Sequence, residues 1–196
     1  IPSLLLKNGG LVKTVRFRNP VYVGDPINAV KIFNDKEVDE LAFLDIGATP
    51  EGRGPDFRLL AAIAAEAFMP FSYGGGVRSV ADIRSLLALG IEKVILNTAA
   101  FEDERLVSEA AEVAGSSSVV VSIDVGSDIF RRRRVKVAGG RRTVPGDPIA
   151  FAKDMERRGA GELLLNSIDR DGTGAGYDVQ LVSDVASAVG IPVVAL

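Results

Sequence analysis

Apolar residues fall along this chain in short blocks, without simple alternation. Three such blocks are Leu41-Ala42-Phe43-Leu44-Asp45, Ser118-Val119-Val120-Val121-Ser122-Ile123-Asp124 and Leu163-Leu164-Leu165-Asn166-Ser167-Ile168-Asp169, and each runs into an aspartate. A short apolar run with no polar face predicts a strand buried on both sides, as in a parallel sheet. An ionised carboxylate is expensive to bury unpaired. Asp45, Asp124 and Asp169 are therefore expected at the C-terminal mouths of their strands, on one shared face.

Helix signals separate the blocks. Asp25-Pro26 places an N-cap before a proline at the first helical position, predicting a helix over 26–36, and Asp147-Pro148 does the same for 148–158. Asp56, Ser79 and Asp178 cap helices expected over 57–68, 80–89 and 179–189, and another helix is expected over 103–113. Further strands are read at 4–6, 70–73, 93–97 and 191–196. Two polar stretches, 7–24 and 127–146, break the rhythm, each with hairpin character, the first around 12–17. Strict β-then-α order with short buried strands means parallel pairing by right-handed crossovers. That leaves an open doubly wound sheet or a (β/α)8 TIM barrel.

An internal repeat favours the barrel. Gly24-Asp25-Pro26-Ile27 recurs as Gly146-Asp147-Pro148-Ile149, and at the same spacing Lys31 matches Lys153, Glu40 matches Glu162, Asp56 matches Asp178 and Pro70 matches Pro192. No gap interrupts the match from 24–73 to 146–195. Two similar halves give an eight-stranded barrel, whereas a doubly wound sheet gives no reason for such a repeat. The expectation is one (β/α)8-type domain over 1–196. Leu196 aligns with Gly74, so the seventh helix, eighth strand and eighth helix are expected to be truncated or not covered.

Composition narrows the chemistry. With 196 residues, 47% hydrophobic and 25% charged, the chain has the balance of an ordinary globular protein with a sizeable core. A net charge of −3 argues against nucleic acid as a partner. There is no cysteine and no histidine, so thiolate metal sites and His-based triads are excluded, and proton transfer falls to Asp, Glu, Lys or Tyr. No metal and no cofactor is expected. No apolar run approaches the roughly 18 residues of a membrane span. The opening Ile-Pro-Ser-Leu carries no signal-peptide pattern, and a cytoplasmic location is the expectation.

Barrels place their chemistry at the C-terminal face. Gly74-Gly75-Gly76 follows a strand and precedes a helix, and it reads either as a phosphate cradle of backbone N–H groups or as a tight turn. Asn97-Thr98 would complete that site or cap a helix. Gly172-Thr173 after the sixth strand would serve a second phosphate, while Asp169 and Asp171 are mouth residues or turn residues. At the opposite end Glu40, Lys93 and Glu162 each precede a strand of even number. They form either a charged ring at the bottom mouth or ordinary solvated loop charge. The run Arg131-Arg132-Arg133-Arg134 is read as a solvated loop, or as a place to bind a phosphorylated ligand or dock a partner.

These motifs, in this order, resemble the cyclase subunit of imidazole glycerol phosphate synthase, the HisF family. The resemblance rests on Lys13, Gly24-Asp25-Pro26, Asp39 to Ile46, Gly74-Gly75-Gly76-Val77-Arg78-Ser79, Lys93 to Ala100 and Ser167-Ile168-Asp169-Arg170-Asp171-Gly172-Thr173 with Gly176-Tyr177-Asp178, across essentially the whole chain. It implies a two-fold repeated barrel. A glutaminase partner docks on its N-terminal face and delivers ammonia through a salt-bridged gate, matched here by Glu40, Lys93 and Glu162. The family is a lyase of histidine biosynthesis. It closes an imidazole ring on a substrate with phosphates at both ends, bound by positions matching Gly75, Gly76, Asn97, Thr98, Gly172 and Thr173. Two aspartates move its protons. Asp124 matches one, and the retained Lys13 matches a catalytic-loop lysine. The other aspartate position holds Leu5, and Leu196 stands where the family usually has serine. Leucine cannot move a proton, so the family's two-carboxylate mechanism is broken at this position. The resemblance is strongest to a divergent branch that passes ammonia onward to a sugar amidotransferase making acetamidino sugars. The authentic histidine-pathway lyase, and a non-catalytic activator of a glutaminase, are the alternatives.

Overall fold

The computed structural model describes all residues, Ile1–Leu196. One sheet carries eleven strands, and seven helices pack on it. Seven strands are mutually parallel: β1 (Ser3–Lys7), β4 (Leu41–Asp45), β5 (Phe71–Gly74), β6 (Lys93–Leu96), β7 (Val119–Ser127), β10 (Glu162–Ser167) and β11 (Val193–Ala195). They lie side by side in chain order, each next to its predecessor, with no reversal of direction across the sheet. A doubly wound sheet must reverse. This one follows barrel topology.

Burial shows that the sheet curls. Leu41, Phe43, Leu96, Val121, Ile123, Leu163 and Leu165 face the helices and join the main core. The alternate positions Ala42, Ile95, Val120 and Leu164 point the other way, where no helix lies, yet they are only 2–4% exposed. They are buried against one another and against Leu44, Val194 and Leu196, from strands far apart in the sheet order. Strands buried on both faces explain the unbroken apolar blocks. The structure is α/β with a TIM-barrel-like (β/α)8 fold.

The helices start where the sequence signals them. Asp25, Asp56, Ser79, Asp147 and Asp178 all accept a backbone N–H with their side chains, and they open α1 (Pro26–Asp35), α2 (Phe57–Glu66), α3 (Val80–Ala88), α6 (Pro148–Arg157) and α7 (Val179–Ala186). The repeat is visible in the element bounds. α1 and α6 begin and end at matching positions, and the caps Asp25 and Asp147 share nearly the same backbone angles, φ −88 and −93, ψ 135 and 140.

Several details differ from the expected pattern, among them α7, which ends at Ala186, three residues early, and α5 (Leu106–Ala114), which begins three residues late. α2 ends at Glu66, two residues early, and Phe68 is left 87% exposed. A short helix, α4 (Thr98–Glu102), opens at Asn97-Thr98, where the sequence allowed a cap, and precedes α5. The first polar stretch is a full hairpin, β2 (Gly10–Val15) and β3 (Arg18–Gly24), laid antiparallel on β1. β7 does not stop at Asp124. It runs on to Ser127 because β8 (Arg133–Val137), itself paired to β9 (Arg142–Thr143), extends the ladder antiparallel. The arginine run is therefore largely structured. Arg132 and Arg134 both pair with Asp128, and Arg133 bridges Asp178 and Asp184 of α7.

Candidate functional site

Side chains two apart on a strand share a face, and three strands show how the barrel axis is layered. β6 offers Lys93, Ile95 and then Asn97 just beyond its end; β10 offers Glu162, Leu164 and Asn166; β7 offers Val120, Ser122 and Asp124. Charge lies at the bottom, apolar groups in the middle and hydrogen-bonding groups at the top.

The bottom layer is an ion triad. Lys93 Nζ donates to Glu40 Oε2 at 3.1 Å and to Glu162 Oε2 at 3.0 Å. All three side chains are 14–18% exposed. Desolvation pulls the Lys93 ammonium down, and its hydrogen bonds with Glu162 and Glu40 outweigh this, so its pKa lies above the ordinary lysine value. Glu40 precedes β4, while Lys93 and Glu162 open β6 and β10. These are the second, fourth and sixth parallel strands, as their parity predicts.

The top layer lines a cavity of about 1420 Å³ at the C-terminal mouth. Asp124 is 8% exposed. Asn97 Nδ2 donates to its Oδ2 at 3.2 Å and to the Ser122 carbonyl at 3.0 Å, and Ser122 Oγ stands 3.5 Å from its Oδ1. Burial is the largest influence on Asp124. It outweighs the bonds from Ser122 and Asn97, is helped by the charge of Asp171, and pushes the carboxyl up to about 7. Asn97 occupies the N-cap position of α4 without capping it, because its side chain is turned inward to Asp124. Thr98 Oγ1 accepts the Ala138 N–H at 2.9 Å, tying α4 to the loop beyond β8.

The other anticipated residues fall into two groups. Lys13 is exposed on β2 and lines the cavity, with no ion-pair partner. Leu5 also lines it, aligned with Leu44 on β4 and followed by the β2–β3 hairpin, a place comparable to that of Asp124 before the β8–β9 hairpin. Gly75, Gly76, Asn97, Thr98, Gly172 and Asp171 share the cavity wall. Three further residues serve the scaffold, and one of them, Asp45, also lines the cavity. Asp45 accepts the N–H groups of Gly47 and Ala48 and lies 3.5 Å from Arg53. Asp169 accepts the Ser127 N–H. Thr173 Oγ1 donates to the Arg170 carbonyl. Asp171 does both: at the mouth it accepts from Thr14 Oγ1 and Phe17 N–H, each at 3.2 Å, and pins the β2–β3 hairpin down.

Two participants were not anticipated. Asn166, beside Asp124 in register, is 8% exposed and leaves its Oδ1 without a partner. Ser3 Oγ on β1 is likewise buried and unpartnered. The i, i+2 spacing of Leu164 and Asn166 signals that Asn166 faces inward, but an isolated asparagine in an apolar block gives no sign of its role.

No helix is long and apolar enough to cross a membrane. The family described as "Histidine biosynthesis protein" matches residues 1–195. A Pseudomonas aeruginosa protein with the provisional name imidazole glycerol phosphate synthase subunit hisF2 is 48% identical over 195 residues, covering 100% of this chain and 78% of its own length. A Leptospira interrogans protein, provisionally named imidazole glycerol phosphate synthase subunit HisF, is 44% identical over 197 residues with the same coverage. A Vibrio vulnificus protein under the provisional name hisF3 of the same synthase is 45% identical over 193 residues, covering 98% of this chain and 74% of its own. The chain belongs to the histidine biosynthesis protein family, as a HisF-like barrel subunit.

Proposed function

We propose that this barrel receives ammonia from a glutaminase docked at its N-terminal mouth and passes it along the axis, without itself closing an imidazole ring at normal rate. One contrast carries this reading. Glu40, Lys93 and Glu162 are joined by ion pairs at the bottom, while Leu5 lines the top where the resemblance calls for a second carboxylate. Asp124 alone supplies one proton-transfer group. Losing the other costs about 10²–10⁴ in rate.

The polar half of the mouth, Asn97, Thr98, Gly75 and Gly76 with the free cation of Lys13, suits a phosphorylated small molecule. Gly172 also lines the cavity and would contribute to a second anion position. The divergent sequence at Leu5 and Leu196 supports delivery of ammonia to a sugar amidotransferase that forms acetamidino sugars. The test is reconstitution with a family glutaminase and ¹⁵N-amide glutamine. Addition of the barrel should stimulate glutamine hydrolysis, and Glu40→Ala should reduce that stimulation. A barrel that neither binds nor stimulates the glutaminase would rule the reading out.

A further inference from the structure

Beyond the residues already assigned, the glycine loop after β5 is held by a device of its own. Tyr73 is 1% exposed, its ring packed in the helix-side core. A buried phenol needs a hydrogen-bond partner, and Tyr73 Oη finds the Gly75 carbonyl at 3.0 Å. On the other side, Gly76 N–H donates to Thr49 Oγ1 at 3.3 Å. The Gly75 carbonyl and the Gly76 N–H are the two ends of one planar peptide unit. That unit is gripped at both ends and cannot turn.

The wall behind it is close. A Cβ on Gly75, at φ +128, would lie 2.6 Å from the Asp45 carbonyl oxygen, and one on Gly76, at φ +70, would lie 2.5 Å from the Arg53 carbonyl oxygen. That wall is itself braced by Asp45, through the N–H groups of Gly47 and Ala48. The N–H groups on either side of the gripped peptide, those of Gly75 and Val77, have no acceptor in the protein. Gly75, Val77, Asn97 and Thr98 line the same cavity. Successive backbone N–H groups beside a helix entrance form an anion-binding concavity.

We propose that Tyr73 and Thr49 are positioning residues that clamp the Gly75–Gly76 peptide and so present the Gly75 and Val77 N–H groups to a phosphate oxygen. This rests on the anion-site reading of the mouth and adds how that site is preorganised. Burial, reinforced by the Asp45 charge, raises the Tyr73 hydroxyl well above the ordinary phenol value, so it remains a donor throughout the working pH range.

The test is titration with inorganic phosphate followed in ¹H–¹⁵N amide spectra. In the wild type the Gly75 and Val77 amides should shift together with Thr98. Tyr73→Phe and Thr49→Ala should each weaken phosphate by roughly tenfold, the worth of about one hydrogen bond. Thr49→Ser, which keeps the acceptor, should bind as the wild type does. A purely structural role would leave affinity unchanged in both damaging variants while the wild-type amides still shift, and that result would overturn the clamp. Phosphate that moves neither amide in the wild type would reject the anion site and the clamp together.

Discussion

Asn97 Nδ2 lies 3.2 Å from Asp124 Oδ2 and fixes that carboxyl against the wall of the mouth. The bonds from Ser122 and Asn97 together do not offset burial. The carboxyl sits at about 7 in the folded chain, against 3.8 for an ordinary aspartate, because desolvation disfavours its charge. Between these values the folded state holds a proton that the unfolded state has lost. Stability is thus highest below the unfolded pKa and falls as pH rises through this window. By linkage the loss amounts to as much as about 4 kcal/mol once both states are ionised. Urea unfolding from pH 4 to 8 should show this decline, and Asp124→Asn should flatten it. A wild-type curve with no decline would contradict the burial argument.

Removing the cation from the bottom triad should hurt more than removing one anion. Lys93→Met leaves Glu40 and Glu162 facing each other in a part-buried layer, a loss of about 2–3 kcal/mol, below the ~3–5 kcal/mol of a fully buried broken pair. Glu40→Gln keeps the Lys93–Glu162 bond and should cost about 1 kcal/mol. Denaturation at pH 7.5 checks the order. Phosphate binding at the opposite mouth should be unaffected by Glu40→Gln.

The β2–β3 hairpin should loosen when its tether is cut. Asp171 holds Thr14 and the Phe17 N–H through its side chain, and the Arg16 N–H through its backbone carbonyl. Asp171→Ala removes only the side-chain bonds. Amide hydrogen exchange at Phe17 should accelerate by about tenfold, the worth of one hydrogen bond, with a smaller change at Arg16. Equal protection in variant and wild type would mean that the Asp171 side chain does not hold the hairpin down.

Much of this fold was legible in the sequence because its signals are local. Asp25, Asp56, Ser79, Asp147 and Asp178 cap helices within reach of their own next turn. The unbroken apolar blocks and the repeat gave the barrel without long-range information. What the sequence left unread depends on distant partners. β7 outruns Asp124 because β8 pairs with it. Asn97 looks like a cap, yet it spends its amide on Asp124, 27 residues away. The arginine run reads as solvated charge, and only the fold brings Asp178 and Asp184 to Arg133. Tyr73 reads as core, since nothing local announces that its hydroxyl reaches Gly75.

Repairing the mouth at one position should not restore ring closure. Leu5→Asp returns a carboxylate to β1, but Leu196 still packs with Leu44 against the inner apolar cluster, where the family resemblance expects serine. Positioning of the substrate is a separate contribution from proton transfer. Leu5→Asp alone is therefore expected to recover little of the loss.

The most direct measurement is steady-state turnover of the histidine-pathway cyclase substrate with ammonium salt as nitrogen source, in wild type and in Leu5→Asp. Ordinary enzymes turn over at roughly 1 s⁻¹ or faster. We expect the wild type to fall at least about 10²-fold below that, as the absence of one proton-transfer group requires, with Leu5→Asp only slightly better. Wild-type turnover at the ordinary rate would show that Leu5 is compensated within the mouth and that this barrel closes the imidazole ring itself.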